Sequence, residues 1–420
     1  MQDKWIAHVD INSCYAAIEC LYHPELRHLP VAICGDIELR KGIVIAANSI
    51  AKMYGITVGE DTNGSAKRKC PGLIILKPRQ ALYDKFCLWA REICLKYSDF
   101  VENYGPDGFW IDVTHIVRDK YEARRLADEI RIDFKETLGL TVSVGASFNK
   151  TISKLAAELK KPDATTVITR ETFKAIVWPL PPDKLLGINK KANLQLYTAG
   201  ITDIGNIAKN PVEIFEDAWG INGWRLHHYA SGEECSPVKH KDYVAPVNSI
   251  GHTATTYRDM KTVEDMKHVV YALSERVASR IREQHFKCRT IKISIRGTDL
   301  KWIERQGTLE TPTCLTNNIA EKAMQIFQKK YRFTKPLRSI GITASNLISD
   351  NMGIQSSLFF DMEREEKLEK VAQTMDMLRA IYGYDIIRRG NDVEDEKLTY
   401  IAPDYNRAGY RVGSAFLKDA

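Results

Sequence analysis

Two short segments, each next to an aspartate, constrain this chain more than any other feature. Residues 5–9 form an apolar run of the kind that makes a buried strand, and the run ends at Asp10. The arrangement recurs where Asp107 comes shortly before the strand-forming residues 109–113. A carboxylate beside a buried strand costs folding free energy unless a metal ion, a lysine or a helix N-terminus stabilises its negative charge. Each aspartate alone fits a solvated loop equally well, but two of them on neighbouring strands could share divalent metal.

The residues around both aspartates resemble the Y-family (translesion) DNA polymerases. The first motif is residues 10–15 (DINSCY), in which Asn12 or Ser13 is expected to cap a helix. The second motif is residues 107–114 (DGFWIDVT). Within the family, the Asn-Ser pair looks most like the bacterial polymerase V catalytic-subunit branch, with polymerase IV-like proteins as the other candidate.

Gly108 departs from the family pattern. The family usually has Ser-Ile-Asp-Glu before its second strand, whereas residues 105–108 are Gly-Pro-Asp-Gly. The missing glutamate helps to hold the catalytic metal in the family. Asp112 cannot replace it, because four residues of strand span about 13 Å at roughly 3.3 Å per residue. We therefore expect a rate loss on the order of a hundredfold or more.

The resemblance implies nucleotidyl transfer to a primer 3′-hydroxyl, with Mg²⁺ as cofactor and Mn²⁺ as a possible substitute. It implies that Asp10 and Asp107 are catalytic and hold metal together with the Ile11 carbonyl. Tyr15 falls where the family places the aromatic ring that excludes ribose, although a core aromatic residue would have the same helical spacing. The nucleotide would be bound by a set of six residues: Ile11, Cys14, Tyr15, Ser49, Lys52 and Lys161.

Both lysines in this set also have a plain structural interpretation. Lys52 could be a solvated surface lysine. Lys161 comes shortly after a predicted helix, where a lysine is favourable because of the helix dipole.

The fold implied by the resemblance is an α+β multidomain, right-handed polymerase. Its parts are a ferredoxin-like palm, small fingers, a helical helix-hairpin-helix thumb and a β-α-β-β-α-β little finger. The expected boundaries are palm 1–19 and 80–168, fingers 20–79, thumb 169–235, linker 236–243, little finger 244–348, and a clamp-binding peptide with C-terminal tail at 349–420.

Apolar periodicity predicts the elements within these boundaries. The predicted strands are 30–34, 42–46, 140–145, 247–251, 290–296 and 339–344, and the predicted helices are 48–54, 80–100, 121–138, 149–159, 263–284, 319–331 and 361–382.

Positive charge is concentrated in the second half of the chain. Between Lys241 and Arg338 there are 19 Lys or Arg and ten Asp or Glu, while the whole chain carries a net charge of +6. Such a module suits a polyanion partner, although a randomly basic surface is the alternative. The resemblance makes primer-template DNA the partner, and the expected DNA-binding residues are Lys190, Lys191, Ser249, Lys292, Ser294 and Arg296.

Residues 355–360 (QSSLFF) resemble the peptide that binds the bacterial sliding clamp. In that interpretation Gln355, Leu358 and Phe359 enter a pocket on the clamp. The alternative is that the apolar side chains fold back on the helix predicted next in the chain.

The composition of the chain indicates the cellular compartment in which the protein works. The nine cysteines are scattered without C-x-x-C spacing, which favours a reducing compartment. No apolar run is long enough to span a membrane. We expect a cytoplasmic protein, and we expect it to be a monomer. Two other functions stay open: a non-catalytic relative that binds DNA and the sliding clamp, and a cyclase-type enzyme that shares the palm.

Overall fold

The computed structural model of this chain describes residues 4–35, 42–331, 333, 335–350, 361–390 and 394–399. These residues form two compact units. The first unit ends at Val244 and the second begins at Ala245.

A five-stranded sheet with the order β5-β6-β1-β7-β8 forms the centre of the first unit. β1 is antiparallel to both of its neighbours, and β7 is parallel to β8. Asp10 on β1 lies directly opposite Gly108, the first residue of β6. The strands are β1 (Ile6–Ile11), β5 (Val101–Tyr104), β6 (Gly108–Asp112), β7 (Val142–Ser147) and β8 (Thr165–Ile168).

Helices cover this sheet on both sides of its apolar strands. Three helices share one core with strand residues such as Val9 and Phe109, both fully buried. A fourth helix belongs to a separate core with the helical segment that follows. The first three are α1 (Cys14–Tyr22), α4 (Gln80–Leu95) and α5 (Lys120–Leu138), and the fourth is α6 (Lys150–Leu159).

Gly145 allows α6 to lie directly on the sheet. A Cβ at this position would be 2.1 Å from the Ser153 carbonyl oxygen and 2.3 Å from the Ala157 nitrogen, which are backbone atoms of α6. Only glycine permits such a close approach. The end of α6 and the residues after it are thereby held beside the end of β1.

A small three-stranded sheet, with the order β3-β2-β4, lies between α1 and α4 in the chain. Asn48 caps the first helix of this module by accepting a hydrogen bond from the Ala51 amide. The elements are β2 (Val31–Cys34), β3 (Val44–Ala47), α2 (Ser49–Met53), α3 (Asn63–Lys69) and β4 (Ile74–Leu76). The sequence pattern predicted the first two strands and the first helix but not α3 or β4.

Five helices complete the described part of the first unit. Glycines with positive φ, among them Gly200 and Gly220, lie in the turns between these helices. The helices are α7 (Arg170–Val177), α8 (Lys190–Thr198), α9 (Ile204–Lys209), α10 (Val212–Trp219) and α11 (Ile221–Ser231).

The second unit has the predicted β-α-β-β-α-β order, with an antiparallel sheet β11-β10-β12-β9. Its strands are longer than predicted, because polar residues on the outer face interrupt the apolar pattern at their ends. The elements are β9 (Ser249–Met260), α12 (Val263–Glu283), β10 (Phe286–Gly297), β11 (Trp302–Thr313), α13 (Thr316–Lys330) and β12 (Leu337–Ser349).

Two further helices, α14 (Met362–Tyr382) and α15 (Glu396–Thr399), follow this sheet. Ion pairs attach α14 to the second unit: Arg379 pairs with the buried Glu275, and Arg282 pairs with Asp376 at 2.7 Å. The predicted clamp-binding residues Gln355, Leu358 and Phe359 lie outside the described residues. Within the described part of the chain, every helix is too short or too polar to cross a bilayer.

Candidate active site

Asp10 and Asp107 come together at the junction of β1 and β6. Asp10 is opposite Gly108 in the register, and Asp107 immediately precedes that glycine. The Ile11 amide donates a hydrogen bond to the Asp107 carbonyl oxygen at 3.0 Å, which keeps the Ile11 backbone beside both residues. The neighbouring-strand arrangement inferred from sequence is therefore present.

The two carboxyl groups lie in an environment that disfavours their negative charge. Burial raises the pKa of Asp10. Burial, and then the charge of Asp10, raise the pKa of Asp107 to about 6. A divalent cation would relieve this repulsion, and an all-oxygen donor set suits Mg²⁺ or Mn²⁺. The residues present therefore fit such an ion.

Gly108 is closely covered by the hairpin that joins β5 to β6. A Cβ at Gly108 would lie 2.7 Å from the Tyr104 carbonyl oxygen and 3.3 Å from Cε1 of His8. A side chain at this position therefore requires the hairpin backbone to move. Asp112 is opposite Ile6 at the far end of β1 and accepts a hydrogen bond from Thr114, so it is not near the two aspartates.

Two predicted phosphate-binding lysines lie near these aspartates. Lys161 Nζ is 2.7 Å from Asp10 Oδ1 and 2.9 Å from Glu158 Oε1. Lys52 Nζ donates a hydrogen bond to Ser13 Oγ at 3.1 Å. Desolvation, and then the charge of Lys161, lower the pKa of Lys52, which shows that the two ammonium groups are close enough to repel. An anionic ligand between them would remove that repulsion.

Tyr15 is held by a network that the sequence did not reveal. Its ring stacks on Tyr83 with the centroids 4.3 Å apart. The Tyr83 hydroxyl donates to the buried Glu19 at 2.6 Å, and Glu19 also pairs with Arg79. The orientation of Tyr15 is therefore fixed before any ligand binds.

The predicted cap of α1 is wrong in its details. Ser13 occupies the N-cap position but has a φ of 52° and makes no side-chain cap. The Asn12 side chain instead bonds Thr141 and Ser143, because β7 lies beside it in the sheet. Cys14 is buried against the Cys87 thiol. Ser49, the other predicted nucleotide-binding residue, is exposed at the start of α2.

Sequence reasoning missed three residues at this site. His8 is fully buried beside Tyr104 and Trp110, and within the described residues neither ring nitrogen has a hydrogen-bond partner. Burial lowers its pKa well below the usual range, so the ring is neutral. Lys154 and Glu158 are the others; they come two helical turns and one helical turn before Lys161, and this spacing was the available signal.

The predicted DNA-binding face of the second unit needs a correction. The alternation on β10 is as expected, with Ile293 buried on one side and Lys292 on the other. However, Ser294 is buried, and its hydroxyl donates to Glu304 at 2.9 Å. Glu304 also pairs with Lys292 at 3.1 Å. This face is less positive than the sequence suggested, because the register places Glu304 opposite Ser294.

The remaining predicted DNA-binding residues lie on the surface. Arg296 stacks on Trp302 and donates to the Leu300 carbonyl. Lys190 is 81% exposed and pairs with Glu60. Lys191 and Ser249 are exposed at the starts of α8 and β9.

Comparison with known proteins is consistent across sequence and structure. The profile of the impB/mucB/samB family matches residues 9–158, and that of its C-terminal domain matches residues 247–358. The DNA polymerase IV of Acetivibrio thermocellus is 41% identical over 396 residues, covering 94% of this chain and 99% of the relative. DNA polymerase IV 1 of Bacillus subtilis is 31% identical and covers 97% of each chain.

A solved Y-family DNA polymerase chimera superimposes with a TM-score of 0.73 at 21% identity. The match covers 82% of this chain and 99% of the chimera, and it supports the palm, fingers, thumb and little-finger fold. Since relatives above 30% identity match almost the whole chain, the protein belongs to the impB/mucB/samB family, the Y-family of translesion DNA polymerases.

Proposed function

We propose that this protein is a DNA-directed DNA polymerase that extends a primer 3′-hydroxyl and copies past damaged template bases. The observation that carries the proposal is the convergence of Asp10 and Asp107 from neighbouring strands, with Lys161 in contact with Asp10. The names of the relatives and the family profiles support the same activity.

Asp10, Asp107 and the Ile11 carbonyl are the groups that would hold Mg²⁺, or Mn²⁺ in its place. When bound, such ions activate the attacking hydroxyl and neutralise phosphate charge. Lys52 and Lys161 bind the triphosphate oxygens, and Lys161 gives up its contact with Asp10 to do so. The Tyr15 ring, fixed against Tyr83, excludes the ribose 2′-hydroxyl.

Primer extension by the purified full chain tests this proposal. We expect slow extension by the wild-type protein, none by Asp10→Asn, and faster extension by Gly108→Glu, which restores the family's carboxylate. We expect the rate of primer extension to rise on the order of a hundredfold, because the variant regains a direct metal ligand. The catalytic claim fails if neither the wild type nor Gly108→Glu extends a primer that both still bind.

Gly108 favours a second candidate function, a non-catalytic protein that binds DNA and the sliding clamp. This candidate predicts salt-sensitive primer-template binding without a nucleotide-dependent metal site. A crystal grown with a deoxynucleoside triphosphate and Mn²⁺ separates the two, since Mn²⁺ can be located by anomalous scattering. An anomalous Mn²⁺ peak between Asp10 and Asp107 supports the polymerase. Bound nucleotide without such a peak supports the second candidate.

The proposed partners are primer-template DNA, a deoxynucleoside triphosphate and the bacterial sliding clamp, with the protein acting as a cytoplasmic monomer. The clamp contact through Gln355, Leu358 and Phe359 is supported by the sequence motif alone. Gel filtration with purified clamp, comparing the wild type with a Leu358→Ala/Phe359→Ala variant, tests that contact. Co-elution of the variant with the clamp would contradict it.

A further inference from the structure

We infer that Glu158 is a third acidic ligand for the metal held by Asp10 and Asp107, and a weaker substitute for the carboxylate that Gly108 lacks. The inference rests on the proposed function, because it concerns the same metal site. It begins from Lys161, whose ammonium nitrogen is 2.7 Å from Asp10 Oδ1 and 2.9 Å from Glu158 Oε1. One cation is therefore already shared between a predicted metal ligand and Glu158.

Position 108 is a poor source of the missing ligand in this chain. Glycine has no side chain, and the hairpin carbonyl of Tyr104 occupies the space that a Cβ needs. Asp112 is at the opposite end of its strand. By contrast, Glu158 Oε1 and Asp10 Oδ1 both contact the Lys161 ammonium nitrogen, at 2.9 Å and 2.7 Å. Glu158 is thus a carboxylate already within electrostatic reach of the proposed metal.

The place of Glu158 in the fold suits a ligand that moves by a short distance. It lies in the last turn of α6, which the close contact at Gly145 fixes against the sheet. Its side chain is 41% exposed, so its rotation is not blocked by packing. Lys154, at 3.5 Å, favours the ionised carboxylate. When Lys161 turns to a triphosphate, Glu158 is released beside Asp10.

An alternative role for Glu158 is to orient Lys161 without binding metal. The two roles differ once Lys161 is removed. If Glu158 is a ligand, its loss weakens metal binding even in a Lys161→Met protein. If it only positions the lysine, its loss has no effect in that background.

The experiment measures Mn²⁺ binding to the full chain by electron paramagnetic resonance, without nucleotide or DNA. We expect Lys161→Met to bind Mn²⁺ more tightly than the wild type, because no ammonium group competes for Asp10. We expect Glu158→Gln in the Lys161→Met background to weaken binding by about tenfold or more, as for loss of a coordinating or supporting carboxylate. Glu136→Gln, an exposed acid on α5, is the matched control and should leave the affinity unchanged.

Each outcome decides between the two roles. Equal Mn²⁺ affinity in Lys161→Met and Lys161→Met/Glu158→Gln overturns the inference and leaves Glu158 as a positioning residue. Asp10→Asn in the Lys161→Met background tests the underlying site separately. If Asp10→Asn retains tight binding, the proposed two-aspartate site is wrong, whatever the effect of Glu158. Circular dichroism of each variant verifies the fold. Substitution of the exposed Glu158 is not expected to disturb it.

Discussion

Replacing Gly108 by alanine should destabilise the first unit, because the hairpin leaves no room for a methyl group. A Cβ there would be 2.7 Å from the Tyr104 carbonyl oxygen, whereas ordinary contacts begin at 3.4 Å. The backbone must therefore shift by roughly 0.7 Å, and such overpacking typically costs about 1–3 kcal/mol. His8, at 3.3 Å on the inner side, limits the direction of that shift.

Scanning calorimetry of the full chain measures this effect. For a unit of this size, about 1 kcal/mol corresponds to roughly 2–4 °C in Tm, so a cost of about 1–3 kcal/mol should lower the Tm by about 2–12 °C. Gly72→Ala is the matched control, because a Cβ there has no atom within 4 Å and the φ is not positive. That control should be neutral or stabilised by up to about 1 kcal/mol.

The reasoning is refuted if Gly108→Ala melts at or above the wild-type temperature while Gly72→Ala behaves as expected. The same strain applies to Gly108→Glu, since the Cβ is common to both. The primer-extension comparison should therefore be made at a temperature where both proteins are folded. A stable but inactive Gly108→Glu would then reflect chemistry rather than unfolding.

Three further variants test charges that the structure brings together. Asp107→Asn should stabilise the metal-free protein at pH 7 by up to about 3 kcal/mol, because the pKa of Asp107 rises to about 6 on folding and each pKa unit is worth about 1.4 kcal/mol. Wild-type stability therefore falls as the pH rises from about 4 to 6, and chemical denaturation across this range should show a flatter profile for the variant. Glu304→Gln should tighten primer-template binding and steepen its salt dependence by about one phosphate contact, because Lys292 is released, as fluorescence anisotropy would show. Arg379→Met should cost about 1.5–3 kcal/mol, as for loss of a hydrogen bond to a charged group, because Arg389 still pairs with the buried Glu275, and it should expose α14 to limited proteolysis.

Matched controls make these outcomes decisive. Glu321→Gln removes the same charge from α13, which covers the other face of the sheet, and should not change DNA affinity. Lys367→Met removes an exposed charge from α14 and should leave its protease resistance intact. The first prediction is contradicted if Asp107→Asn leaves the pH profile of stability unchanged. The second is contradicted if Glu304→Gln and Glu321→Gln change DNA affinity equally. The third is contradicted if the two α14 variants are cleaved at the same rate.

Much of the fold could be predicted from local patterns in the chain. The apolar runs beside Asp10 and Asp107 predicted two strands with acidic ends, and the apolar periodicity from residue 247 to 344 predicted three strands and both helices of the β-α-β-β-α-β order. These features are readable because burial imposes a period of two on strands and 3.6 on helices. Short elements such as α3 and β4 were missed, since a few residues carry too little periodicity, and the bounds of the longer β11 were not predicted because most of its residues are polar.

The sequence by itself determined which chemical groups are available: two acids at strand ends, lysines on helices, and no glutamate at position 108. Only the tertiary structure decided which of these groups meet. The register that sets Asp10 opposite Gly108, the packing of α6 that brings Lys161 to Asp10, and the pairing of Glu304 with Lys292 all join residues from different elements of the fold. The physical reason is that sheet register and helix packing are fixed by the burial of whole faces, which no local segment encodes.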